Sequence, residues 1–200
     1  MSDRGFTLIE MLIAVAVSAL LLVTTYGIVT SVSRTRDRLV KEGEGFHLAR
    51  VICERLSREL RGAYYSADTA ASRFAGGTDE DGRPFLELAT TASTPASGGS
   101  GIVVVRYLLA EDESNSKVLL RDEYPLYSQP ADDRPLRRLA GGIEELQLRF
   151  RRGAEWQPQW RSDEMAGLPD LVEVSLTIKA NDRLLPFQTA IELAPLQKSL

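Results

Sequence analysis

One acidic residue, Glu10, lies inside an apolar run that carries no other charge from Phe6 to Val29. As an α-helix this run spans roughly 36 Å at about 1.5 Å per residue, which is enough to cross the hydrocarbon core of a bilayer with some tilt. A carboxylate in lipid costs on the order of 2.5–3.5 kcal/mol on insertion scales, so it needs a partner or a function. The run therefore predicts a membrane helix in which Glu10 has a task.

A secretory signal peptide does not account for this N-terminus. Its apolar region is shorter, and a cleavage site of small residues follows it, whereas here no such site follows the run. The sole cysteine is Cys53, so no early thiol is available for a lipid. A plain signal anchor explains the length and apolarity of the run but leaves Glu10 unexplained.

Cleavage between Gly5 and Phe6 would explain Glu10. The new α-amino group of Phe6 would lie four residues before Glu10, which is about one helical turn. The ammonium and the carboxylate can pair within one subunit or between neighbouring subunits. A pair between subunits would set the axial stagger of packed helices, since a buried charge is tolerable once its partner arrives.

The segment Arg4-Gly5-Phe6-Thr7-Leu8-Ile9-Glu10 resembles the class III leader of type IV prepilins and type II secretion pseudopilins. The resemblance implies that prepilin peptidase, a membrane enzyme, cuts after Gly5 and N-methylates Phe6. It also implies that Glu10 is the residue used in assembly.

Length and composition restrict the other possibilities. The chain has 200 residues and a net charge of −4, so it offers no broad basic surface for nucleic acid. One cysteine excludes an intramolecular disulfide, and one histidine excludes a multi-histidine metal site. We expect a leader at 1–5, a transmembrane helix at 6–29, its extramembrane continuation at 30–63 and a globular domain at 64–200.

Charge alone gives a conflicting orientation for the membrane helix. Arg4 precedes the helix, while Arg34, Arg36 and Arg38 follow it, and the positive-inside rule counts these cations. The resemblance to prepilins implies the opposite sense, with the leader in the cytoplasm and the globular part in the periplasm. We follow the motif.

The remaining pattern predicts an α+β fold, with a long N-terminal helix packed on antiparallel sheet. An apolar stripe continues the helix to a stop at Gly62, with Gly43 and Gly45 as a weak or bent place and with Glu59 among the polar residues of the other face. A loop is expected at 90–100. Six strands are expected at 85–89, 102–109, 117–124, 143–151, 171–178 and 184–193, with a hairpin turn at 111–116 and an edge or a bulge at Pro186.

The C-terminal half resembles the minor pseudopilin J of type II secretion systems. The similar residues are Glu144 to Phe150, a turn with Trp156 and Trp160, and Leu168-Pro169 leading into the next strand. Residues 54–63 also resemble the end of that family's first helix, with Glu59 as its acidic residue. Minor type IV pilins of the PilW kind share this layout.

The resemblance implies a pilin-like fold and a non-catalytic subunit in the bacterial inner membrane without a cofactor. Its partners would be pseudopilins I and K at the pseudopilus tip, with H nearby, and cargo or secretin as further contacts. There it would prime pseudopilus assembly and support export across the outer membrane. One alternative is a minor type IV pilin for pilus assembly, motility, adhesion or DNA uptake. Another is a membrane-anchored periplasmic binding domain or enzyme, for which the sequence offers no convergent polar cleft.

Other candidate site residues have ordinary structural interpretations. We expect His47 on a solvated helix face, Cys53 as a small apolar residue of the stripe, and both tryptophans in the core. The acidic segments 79–82 and 111–115 are interpreted as solvated turns rather than calcium sites, because neither has EF-hand spacing. The arginines at 149 and 151 are interpreted as the polar face of a strand.

Overall fold

The computed structural model describes residues 8–94, 101–128, 136–165, 167–180 and 183–193, without the side chains of residues 37, 38 and 41. Gly5 and Phe6 lie outside the described residues. The chain forms two compact units, residues 1–43 and 44–200. The fold is α+β with antiparallel sheets, as the sequence predicts.

A single α-helix, α1, extends over Leu8–Arg61. It ends at the predicted stop, where the Gly62 N–H donates to the Arg58 carbonyl at 3.1 Å. The helix continues unbroken through Gly43 and Gly45. A Cβ on Gly45 would lie 3.1 Å from Leu185 Cδ1. Gly45 thus permits a close approach of the helix to the sheet. The sequence analysis predicts only a weak or bent place in the helix at this glycine.

Eleven strands lie within the described residues, together with a short 3-10 turn at Ala70–Ser72. The strands are β1 Ala63–Tyr64, β2 Ala75–Thr78, β3 Pro84–Thr90, β4 Val103–Glu111, β5 Lys117–Pro125, β6 Arg137–Gly141, β7 Ile143–Arg152, β8 Glu155–Gln157, β9 Trp160–Arg161, β10 Leu171–Ala180 and β11 Arg183–Glu192.

These strands form two sheets. A seven-stranded sheet has the order β6-β5-β4-β3-β2-β9, with β1 paired to β3, and a four-stranded sheet has the order β11-β10-β7-β8. All pairs are antiparallel, including the predicted β4–β5 hairpin. Pro186 lies on β11, an edge strand, as predicted.

All six predicted strands are confirmed, whereas the shorter strands β1, β2, β6, β8 and β9 were not predicted. β2 reads Ala-Gly-Gly-Thr, and β1, β8 and β9 have two or three residues each. Such segments have too few alternating residues to show a period of two, and glycine weakens the strand signal further. Their pairing partners in the sheet place them.

The core combines one stripe of α1 with the inner faces of both sheets. From the helix come the buried residues Ala49, Ile52, Leu56 and Leu60. Phe150 of β7 is fully buried, with edge contacts to Phe74 at 6.0 Å between ring centroids. The alternation along β7 and β10 therefore buries every second side chain, which is the usual pattern for strands with one core face.

Candidate assembly site

The first part of α1 presents a continuous apolar surface. The segment Leu8–Arg36 is long and apolar enough to cross a membrane, and none of it is buried among the described residues. Leu21 and Val23 are exposed by 61% and 69%, far beyond the scattered apolar residues that soluble surfaces tolerate. This surface requires lipid or other helices around it.

Polar side chains in this segment are satisfied by the helix itself. The Thr25 hydroxyl donates to the Leu21 carbonyl at 2.7 Å, and the Thr30 hydroxyl donates to that of Tyr26 at 3.0 Å. Thr24 and Thr35 make equivalent bonds one turn back. Because these bonds satisfy the hydroxyls, placing them in lipid, where no water is available, costs little free energy.

Glu10 lies in the first turn of α1 and is exposed. A carboxylate near a helix N-terminus is stabilised by the helix dipole, which partly offsets its cost in lipid. Gly5 and Phe6 precede the described helix, so the cleavage site and the methylated residue stay predictions. Of the three predicted site residues, Glu10 lies within the described residues, at the start of the unburied part of α1.

A buried ion cluster near the other end of α1 was not expected from the sequence. Glu59 is 2% exposed and Arg121 is 9% exposed. Arg121 Nη2 donates to Glu59 Oε1 at 2.6 Å and also to Glu123 Oε2 at 2.6 Å. The Tyr107 hydroxyl donates to Glu59 Oε2 at 2.5 Å and accepts from Arg121 Nε at 3.1 Å. The prediction that Glu59 lies with the polar residues on the face away from the apolar stripe was therefore wrong.

This cluster is electrostatically unbalanced, with two carboxylates on one guanidinium. Burial raises the pKa of Glu59, and the charge of Arg121 opposes that rise only in part. Burial and the neighbouring Glu59 charge likewise raise the pKa of Tyr107, which keeps its hydroxyl a donor. The cluster joins α1 to β4 and β5 through side-chain hydrogen bonds.

A sequence signal for the buried position of Glu59 existed. Glu59 follows Ile52 by seven residues and Leu56 by three, which is the spacing of the apolar stripe itself. A carboxylate at that spacing indicates a buried residue with a partner on another element. The partner, Arg121, is 62 residues away, and only the packed sheets bring it there.

Cys53 and His47 have the structural roles expected of them. His47 is exposed on α1. Cys53 is half-buried against the core, and burial raises the pKa of its thiol, which disfavours the reactive thiolate.

The acidic turns use their carboxylates internally. Asp79 Oδ1 accepts from the Arg83 N–H at 2.7 Å, and Asp112 Oδ1 accepts from the Ser116 N–H at 3.0 Å. Within the described residues, no three His, Cys, Asp or Glu side chains are placed so that together they could hold a metal ion.

The two tryptophans differ in environment. Trp160 is 1% exposed, and its indole N–H donates to the Gly167 carbonyl at 2.9 Å. Arg152 stacks on Trp160 at 4.8 Å and donates to the carbonyls of Met165 and Leu168. These bonds explain why a tryptophan precedes the Leu-Pro turn.

Trp156 is half-buried and lies against guanidinium groups rather than in the core. Arg149 is 4.8 Å and Arg151 5.7 Å from its ring centroid. The core prediction is confirmed for Trp160 and wrong for Trp156. The stacking keeps Arg149 and Arg151 on the polar face of β7, as expected.

Two family models match the chain in succession. The prokaryotic N-terminal methylation motif matches residues 1–26, and type II secretion system protein J matches residues 27–184. The chain belongs to the type II secretion system protein J family. No match to a curated protein is found for this chain.

Membership in this family makes the chain a minor pseudopilin, a structural subunit of type II secretion. The methylation motif and the family together imply processing by prepilin peptidase and assembly with other pseudopilins. A single N-terminal apolar helix anchors a C-terminal soluble domain of the J type to the membrane. Of the two layouts that the sequence resembles, the match favours secretion over the type IV pilus.

Proposed function

We propose that this protein J is a non-catalytic subunit of the pseudopilus tip, in complex with pseudopilins I and K and near H. In this role it primes pseudopilus assembly and supports export across the outer membrane, with cargo or secretin as further contacts. The mature chain begins at a methylated Phe6. Its segment 6–29 spans the inner membrane, residues 30–63 continue the helix, and residues 64–200 form the globular domain in the periplasm.

One observation carries the proposal. An apolar helix segment that is unburied among the described residues carries a carboxylate, Glu10, in its first turn. Cleavage after Gly5 would put a cationic amine about one turn before that carboxylate. A helix with such a surface and such a charge gains most by packing beside another helix with a complementary charge.

Glu10→Ala tests the assembly role. The variant is expected to insert into the membrane normally, while co-purification with pseudopilins I and K falls at least about tenfold, since breaking a buried pair costs about 3–5 kcal/mol. Secretion of an exported enzyme should fall with it. Glu54→Ala, which removes an exposed carboxylate from the same helix, is the matched control and should secrete normally.

Normal secretion and normal co-purification of the Glu10→Ala variant would contradict the assembly role. Loss of membrane insertion would contradict it too, because Glu10 would then act in anchoring.

Gly5→Trp tests the cleavage site. Prepilin peptidase should fail to process this variant, because a bulky residue replaces the glycine at the scissile bond. Mass spectrometry of the protein from its native membrane should show mature wild type starting at methylated Phe6 and the variant retaining residues 1–5. A wild-type protein that retains its first five residues would refute the site.

A further inference from the structure

Strand β7 has an open edge over most of its length. β10 pairs with it along one side, while on the other side β8 pairs only with Phe150, Arg151 and Arg152. Among the described residues, no strand pairs with residues 143–149 on that second side. An unpaired edge presents backbone donors and acceptors that another strand can use.

The backbone groups of this edge can be assigned. Arg152 and Glu155 close a two-residue hairpin, so the N–H and C=O of Arg152 point toward β8. The direction of the backbone N–H and C=O groups alternates along a strand. Those of Leu148 and Leu146 therefore point to the same side as those of Arg152. The Glu144 carbonyl also does so, because Lys117 Nζ donates to it at 2.9 Å from the other sheet.

A groove follows this edge. One cavity of about 730 Å³ lies between residues 144–147 and the facing residues Thr78, Pro84 and Lys117. A second cavity of about 280 Å³ continues along Leu148 and Arg149 to Trp156. Thr78, Pro84, Leu146 and Gln147 line both cavities, so the two cavities adjoin along β7, and we call them together the edge groove.

The two ends of the edge groove differ in charge. The larger cavity is lined by four carboxylates and two cations, namely Asp81, Glu111, Glu144, Glu145, Arg83 and Lys117. The other end carries Arg149, stacked on Trp156 at 4.8 Å. Nearby Arg151 stacks on the same ring, and its buried Nε has no hydrogen-bond acceptor among the described residues. One end is therefore acidic and the other cationic and aromatic.

We propose that the edge groove binds an extended segment of a partner protein as an added strand beside β7. The segment carries an acidic side chain at the Trp156 end and a basic one at the Glu144 end. This inference rests on the proposed function, since the edge groove would be the surface with which a tip subunit binds a partner. A second copy fits poorly, since its own β7 edge is recessed in the same way.

A peptide probe tests together the backbone hydrogen bonds to β7 and the recognition of charge at the two ends of the edge groove. The probes are Ac-Lys-Val-Thr-Val-Thr-Val-Glu-NH2 and its reverse, which cover parallel and antiparallel pairing, added to purified full-length protein in detergent. One of the two should bind. The same peptide with alternate N-methylated amides should lose binding, because it keeps the side chains but not the ladder donors. Equal binding of the N-methylated peptide, or binding of neither probe, overturns the proposal.

Arg149→Ala provides the side-chain test. Arg149 is 46% exposed and 3.2 Å from Glu173. Its matched control is Arg106→Ala, since Arg106 is 44% exposed and 3.0 Å from Glu87 on the other sheet. Arg149→Ala should weaken probe binding more than about fivefold, and Arg106→Ala should leave it unchanged. Equal effects of the two variants overturn the proposal.

Photocross-linking extends the test to the cell. A benzophenone residue replaces Gln147, which lines both cavities, or as a control Gln188. Both glutamines are exposed and lie in one cross-strand row through Ser175. We expect a cross-link from position 147 that the binding peptide abolishes, and none from position 188. A product resistant to the peptide, equal products at both positions, or a dimer of this chain overturns the proposal.

The proposals for the edge groove and for the assembly role can be refuted independently. If the Gln147 variant is processed and incorporated normally but gives no cross-link, the groove is wrong and the assembly role stands. If Glu10→Ala assembles normally while purified protein binds the probe, the assembly role is wrong and the groove stands.

Discussion

At the scale of residues, the buried carboxylate of Glu59 determines how the end of α1 is held. Its two oxygens accept from Arg121 and Tyr107, and its backbone carbonyl accepts from the Thr90 hydroxyl at 2.8 Å. Glu123 extends the cluster, since both of its oxygens accept from Thr94 at 2.8 Å. Hydrogen bonds of the Glu59 carboxylate thus link the helix to β4 and β5, and the neutral bond from Thr90 links it to β3.

Removal of Glu59 should destabilise the fold. Glu59→Ala leaves Arg121 buried with Glu123 alone and Tyr107 without its acceptor, so we expect a loss of roughly 1–3 kcal/mol in the free energy of unfolding. Urea titration of the full-length protein in detergent, followed by the fluorescence of buried Trp160, measures it. Glu54→Ala should leave the midpoint unchanged, and an equal shift in both variants would contradict the buried role of Glu59.

The pH dependence of stability should also report on Glu59. Its pKa in the folded state is raised above the unfolded value of about 4.3. The stability that it contributes is therefore complete below that unfolded value and is lost as the pH rises through the folded-state pKa. Relative to Glu59→Gln, which cannot titrate, wild type should gain stability as the pH falls from 7 toward 4.5. A difference that is constant with pH would contradict the raised pKa.

At the scale of elements, α1 serves two environments with one continuous helix. Its first part is apolar all round, which suits lipid or other helices, and its last turns carry an apolar stripe that packs on the sheets. Gly45 belongs to the second part, where Leu185 and Ala180 approach within 3.1 and 3.2 Å of a Cβ built on it.

Substitution at the two helix glycines should have opposite results. Gly45→Leu forces a side chain into Leu185 and Ala180 and should destabilise the protein by about 1–3 kcal/mol. A Cβ on Gly43 would meet no atom of the described residues within 4 Å. Gly43→Leu should therefore be neutral or stabilising by up to about 1 kcal/mol, because leucine favours the helix more than glycine does. The same urea titration measures both. Equal stabilisation by the two variants would refute the close approach at Gly45.

At the scale of the whole molecule, the question is which side of the membrane holds the globular domain. The cations Arg34, Arg36 and Arg38 follow the apolar segment and favour the cytoplasm for that end. Processing by prepilin peptidase implies that the leader end is cytoplasmic. The assembly role requires the orientation in which the leader end is cytoplasmic and the globular domain is periplasmic.

Protease protection decides the orientation. Protease added to spheroplasts should degrade the globular domain and leave a membrane-embedded N-terminal fragment, while a cytoplasmic marker protein survives. Replacing Arg34 and Arg36 by Gln should not change this pattern, since the leader motif sets the orientation. A globular domain that is protected in intact spheroplasts and degraded only after lysis would place it in the cytoplasm.

Long elements were predictable because each carries its own signal. The apolar run, the stripe of α1 and the alternation in β4, β5, β7, β10 and β11 each repeat often enough to reveal their period. β8 and β9 do not, since three and two residues cannot show a period, and their place depends on the strands beside them.

The leader motif, the lone carboxylate and the apolar run by themselves determined that this is a prepilin-type membrane subunit, because local chemistry in lipid leaves few alternatives for such a helix. Only tertiary structure decided that Glu59 is buried on Arg121, that Trp156 and Trp160 have different environments, and that β7 keeps an open edge. Each of these depends on residues far apart in sequence, whose distances become defined when the two sheets pack.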